Sequence, residues 1–141
     1  MKNFLLSSLF LVTLLLPGQA QTNRAGYPFI RYYEPSEMKV ADQNWSAARD
    51  KRGIIYVANM DNGVLEYDGV EWIPHPLPGN VDTHVVFVDK RGILYAGGDR
   101  QFGYFQPDNT GNLVYHSLVE RLDSAGRQFT TIYTINEWKN F

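Results

Sequence analysis

The chain has 141 residues, 44% hydrophobic and 14% aromatic, enough to bury a sizeable core, and it contains no cysteine. A disulfide framework is therefore excluded, and stability must come from burial. The formal charge of −2, with no basic patch, argues against nucleic acid as the partner of this stretch.

Met1 to Ala20 reads as a signal peptide. Lys2 supplies the positive start, Phe4 to Leu16 the apolar run, and Pro17-Gly18-Gln19-Ala20 a break ending in small residues. The run is short for a spanning helix, which needs about 20 apolar residues, so export is expected rather than anchoring. Cleavage after Ala20 would leave Gln21 first. Removing Lys2 from the 13 basic side chains leaves 12 against 15 acidic ones, a charge of −3.

Residues 21–43 form a lead-in. Tyr27-Pro28-Phe29-Ile30-Arg31-Tyr32-Tyr33 reads as extended, because proline disfavours helix at the residue before it. This segment could close a sheet, form an edge or simply lead in. Residues 34–43 read as a polar loop.

Residues 44–79 then read as one four-stranded unit. Its strands are expected over residues 44–49, 54–58, 64–67 and 70–73, before Pro74, Pro76 and Pro78 break the pattern. The first hairpin is the corner Asp50-Lys51-Arg52-Gly53, where aspartate can cap backbone amides and glycine accepts positive φ. Asp68-Gly69 predicts a two-residue type I′ hairpin.

Residues 80–128 repeat this order. Asp89-Lys90-Arg91-Gly92-Ile93-Leu94-Tyr95 returns Asp50-Lys51-Arg52-Gly53-Ile54-Ile55-Tyr56 with one change, Leu94 for Ile55. Strands are expected over residues 83–88, 93–96, 103–106 and 112–116, with Asp108-Asn109-Thr110-Gly111 as a turn. The turn over residues 97–101 is expected to be one residue longer than its counterpart. Ser117-Leu118-Val119-Glu120 fits a capping box, predicting a short helix over residues 118–124. Residues 129–135 look like a third first strand, and Phe141 arrives before a third corner.

The expected fold is thus all-β: β-propeller blades, two of them four-stranded, plus the first strand of a third in residues 129–141. Propellers close with roughly 4–8 blades, so the propeller is incomplete and the sequence reads as the start of something longer.

Three groups of residues carry a family resemblance. They are Gln43-Asn44-Trp45-Ser46 with the first corner, Gly63-Val64-Leu65-Glu66-Tyr67-Asp68-Gly69-Val70 with Trp72, and Gly92-Ile93-Leu94-Tyr95 with Gly97, Phe102-Gly103-Tyr104 and Ser117-Leu118. The chain resembles the N-terminal part of the two-component regulator propeller sensors of Bacteroidota, in the subgroup with a triple-tyrosine domain. The resemblance implies a periplasmic propeller that senses an extracellular ligand, followed by the triple-tyrosine domain and usually a membrane helix. It also implies an intracellular output, such as a histidine kinase or a helix-turn-helix domain, and a dimeric, membrane-tethered parent.

No catalytic, cofactor or metal motif is legible. His75, His84 and His116 have no ligand spacing, and no cysteine joins them. Asp50 and Asp89 read as turn caps rather than acid–base groups. Gly97-Gly98 lacks the helix and lysine of a phosphate loop. Trp45, Tyr56, Trp72, Tyr95, Phe102 and Tyr104 read mostly as core, with Trp45 and Phe102 best placed to touch a ligand, a glycan being one candidate. The expectation is a non-catalytic sensor segment, its ligand contacts unassigned; the alternatives are a secreted polysaccharide-active propeller enzyme and a structural interaction propeller.

Overall fold

The computed structural model describes Gly26 and residues 29–138. The expected signal peptide, its cleavage point at Gln21 and the Tyr27-Pro28 pair lie outside the described residues. The chain divides into two units, Met1–Tyr32 and Tyr33–Phe141. In the first, Phe29, Ile30 and Tyr32 are exposed and outside any strand.

In the second unit a four-residue helix, α1 (Pro35–Met38), stands where a plain loop is expected. Proline at its first position has φ preset for a helix, and left-handed Lys39 ends it. Eight strands follow: β1 (Asn44–Arg49), β2 (Ile55–Asn59), β3 (Gly63–Tyr67), β4 (Trp72–His75), β5 (Thr83–Val88), β6 (Leu94–Gly98), β7 (Gln101–Pro107) and β8 (Leu113–Ser117). They make two antiparallel four-stranded sheets, β1-β2-β3-β4 and β5-β6-β7-β8, each in sequence order.

One face of the first sheet packs on the second. Tyr56, Ala58 and Val64 meet Val86, Leu94, Ala96 and Phe105, with Leu77 of the connecting segment buried among them. Burying a leucine-sized side chain contributes about 1.5–3 kcal/mol, so this cluster is the main cohesion between the sheets. The first strands are adjacent across the interface: Ser46 Oγ on β1 accepts the Val86 N–H of β5 at 2.9 Å.

Several elements differ from expectation. β4 runs through Pro74, which pairs with Leu65, because β4 is an edge strand and edges tolerate proline. Asp68-Gly69 is not a two-residue type I′ turn. Tyr67 pairs with Trp72, the rings stack at 4.6 Å, and Asp68 Oδ1 accepts the Val70 and Glu71 amides at 2.8 and 3.0 Å. Those two amide bonds stabilise a four-residue loop in which Gly69 alone takes positive φ.

The hairpin after β6 is shorter than its counterpart, not longer. Asn59 pairs with Gly63, but Gly98 pairs with Gln101, and Arg100 takes a left-handed φ of 54°. The expected alignment is off by two residues, which leaves every side chain on its original face because strands alternate with period two.

The expected helix contracts to a single 3₁₀ turn over Val119–Arg121. Ser117 Oγ takes the Val119 N–H at 3.2 Å, two residues on, so the capping box does not form. Residues 129–138 make one bridge, Thr131 with Asp99, and no strand.

Candidate functional site

Each sheet has two ends, and they behave differently. At one end lie the corners. Asp50 Oδ1 accepts the amides of Arg52 and Ile54 at 2.9 and 3.0 Å, and Oδ2 takes the Arg52 guanidinium at 2.7–2.8 Å. Asp89 does the same with Arg91 and Ile93, its amide bonds at 2.9 and 2.8 Å. Gly53 and Gly92 take φ of 96° and 89° at matching positions. Arg52 and Arg91 each donate onward to a tyrosine hydroxyl, Tyr56 at 3.1 Å and Tyr95 at 3.3 Å.

Burial opposes ionisation of both aspartates, but hydrogen bonds from the arginine side chains and the backbone amides outweigh it and hold both carboxyls below their usual range. Burial, with the nearby Glu66 and Asp50 charges, pushes the Tyr56 phenol up to about 12. Both carboxylates are fully engaged within their own turns.

Asp108, expected only as a turn, heads a third copy of this corner. Asp108 Oδ1 accepts the Thr110 and Asn112 amides at 2.8 and 3.0 Å, and Gly111 takes a φ of 91°. The legible signal was Asp-x-x-Gly itself.

The opposite end differs between the sheets. β1 and β5 both carry a bulge there, at Trp45 and at His84, equivalent positions of the repeat. The two rings meet edge to face at 4.8 Å, and Tyr133 from the following segment lies 4.9 Å from His84. Trp45 is 46% and Tyr133 64% exposed, whereas His84 is buried. Three chain segments thus present a row of rings at one end of the molecule's first strands.

Beside that row, Asp82, His84 and Asp99 each offer a ligand atom within 4.8 Å of one another. His84 Nε2 lies 3.2 Å from Asp99 Oδ1, and Thr131 Oγ1 donates to the same oxygen at 2.7 Å. The hairpin makes this cluster, because the Asp99 amide bonds the Asp82 carbonyl at 3.0 Å. Gly98 permits the approach, since a Cβ there would lie 1.9 Å from that carbonyl. The histidines alone give no hint of it: Asp82 is two residues from His84, but Asp99 is brought in by the fold.

Of the aromatic residues read as core, Tyr56 is fully buried. Trp72, Tyr95, Phe102 and Tyr104 are half-buried, and Phe102 packs on Phe129 at 5.8 Å. Trp45 is the one set in the exposed row. His75 pairs instead with Glu66 at 2.8 Å, and His116 stacks on Tyr104. Among the described residues, no helix is long and apolar enough to cross a membrane.

Comparison with known proteins finds no matching family model, curated protein or solved structure.

Proposed function

We propose that the chain is the opening part of an exported β-propeller sensor of the two-component regulator type, binding its ligand at the ring-lined end. The observation that carries this reading is the way one sheet's relation to the next is reproduced. The face of the first sheet covered by the second presents Tyr56, Ala58 and Val64. Strand pairing puts Tyr95, Gly97 and Phe102 at the same places on the far face of the second sheet. Residues 129–138 begin to cover that face: Ile132 would lie 2.8 Å from a Cβ on Gly97. Lysines follow the same rule, Lys51 Nζ donating to the Lys90 carbonyl at 2.7 Å and Lys90 Nζ pairing with Glu137 at 3.2 Å. Serial stacking of this kind is how propeller blades bury their faces.

The ring row supports a glycan-like ligand, since exposed aromatic faces suit sugar C–H surfaces and carboxylates accept from hydroxyls. Binding there signals only if the ligand prefers one arrangement of the parent protein over another.

The test is a thermal-shift panel of oligosaccharides on the exported protein, whose N-terminal sequence should begin at Gln21. A rise in melting midpoint with one glycan class, lost in Trp45→Ala, is the expected result. Cleavage of a panel sugar would establish the enzyme reading instead, and no shift with any sugar would remove the glycan.

A further inference from the structure

We propose that Asp82, His84 and Asp99 form a binding site for a divalent transition metal ion, Zn²⁺ being the first choice. This inference stands independently of the sensor reading.

The first sheet builds the same bulge and the same backbone hydrogen bond without charge. At the equivalent positions of the first repeat stand Gln43, Trp45 and Met60, and the Met60 amide bonds the Gln43 carbonyl at 3.1 Å as Asp99 bonds Asp82. The bulge and the amide–carbonyl bond beside it therefore need neither carboxylates nor imidazole. Two aspartates and a histidine at these three places are an addition to the fold, not a requirement of it.

The second observation is His84 itself. Its side chain is 7% exposed, its Nε2 is aimed at Asp99, and its Nδ1 is buried with no hydrogen-bond partner. The nitrogen that faces the carboxylates, Nε2, thus has no polar contact outside the cluster and is available as a ligand atom. An ion pair with Asp99 would account for one carboxylate and leave Asp82 unexplained. Among the described residues, no lysine or arginine pairs with either aspartate. Two carboxylates meeting at one buried imidazole, with no lysine or arginine between them among the described residues, is an arrangement that a divalent ion satisfies.

The donor set selects the ion. One nitrogen and two carboxylate oxygens suit Zn²⁺, with ligand bonds of about 2.0–2.2 Å, better than Ca²⁺, which takes 6–8 oxygens. Separations of up to 4.8 Å require the half-exposed aspartates to close slightly on the ion. Zn²⁺ should also bind more tightly than Mn²⁺ at such a site.

The experiment is isothermal titration of the full chain, freed of metal with EDTA, with Zn²⁺, Mn²⁺ and Ca²⁺ at pH 7. One Zn²⁺ per chain is expected, and Asp82→Asn and Asp99→Asn should each weaken it by at least about tenfold. These two carry the test because both side chains are half-exposed and the changes isosteric; His84→Gln is a supplement, because exchange at a buried position also disturbs packing. Asp123→Asn, outside the cluster, should bind as the parent does. The proposal is overturned if Zn²⁺ binds more weakly than about 1 mM, or if Asp82→Asn and Asp99→Asn bind it as the parent does, which would put the ion at another histidine.

Discussion

The two ends of the sheets obey opposite rules. At the corner end, Asp50 and Asp89 hold the same amides, the same arginine and the same onward tyrosine. At the ring-lined end, Gln43, Trp45 and Met60 are answered by Asp82, His84 and Asp99 around a shared bulge and backbone hydrogen bond. Where the turn needs its side chains, the repeat keeps them. Where a backbone hydrogen bond holds the strands, as between residues 43 and 60 and between 82 and 99, the side chains at those places are free to differ, and the second sheet uses that freedom for charge.

The largest expected effect breaks the ring-lined end. Gly98→Ala places a Cβ 1.9 Å from the Asp82 carbonyl. The φ at Gly98 is ordinary, so the cost is steric, and about 3 kcal/mol or more should be lost by chemical denaturation. A change under about 0.5 kcal/mol would mean that the two strands do not approach as described.

The corner glycines come next and sharpen the comparison, because they should respond alike. Neither meets any atom within 4 Å at its Cβ position, so Gly53→Val and Gly92→Val are strained only by positive φ. Each should cost about 1–3 kcal/mol. Clearly unequal denaturation midpoints for the two variants would show that the corners are not energetically equivalent.

Asp50→Ala and Asp89→Ala should each cost about 1 kcal/mol at neutral pH, the usual worth of such a cap. Both folded pKa values are lowered, so the unfolded chain binds protons first as pH falls. Their stabilisation is therefore complete above the unfolded carboxyl pKa of about 3.9 and is lost below it, towards the folded value. The gap between parent and variant, followed by denaturant titration from pH 7 to 2.5, should close only below about pH 4. A gap that persists unchanged to pH 2.5 would argue that the carboxylates are not the source.

The smallest effect separates two tyrosines. Tyr56→Phe should cost about 1 kcal/mol, since a buried hydroxyl and an arginine bond are lost together. Tyr95→Phe, whose bond to Arg91 is exposed, should stay within about 0.5 kcal/mol. In spectrophotometric titration Tyr56 should ionise only near pH 12, above the ordinary phenol value of about 10.

What the sequence by itself determined is everything governed by neighbours along the chain. The spans of β1 and β5, the Asp-x-x-Gly corners and the recurrence of one corner as the next were all legible, because a turn's donors and acceptors lie within four residues of one another. Even Asp108, whose turn was seen but not its kinship, followed the same local pattern. Tertiary structure decided the rest. The Asp68 loop is set by a Tyr67–Trp72 stack, Pro74 is admitted by an edge, and the Asp82 carbonyl comes as close to Gly98 as a missing Cβ allows. The charged cluster belongs to this second kind: Asp82 lies two residues before His84, but only the pairing of β5 with β6 carries Asp99 to them both. Local chemistry is written in adjacent letters, whereas a site assembled across strands exists only once the register is chosen.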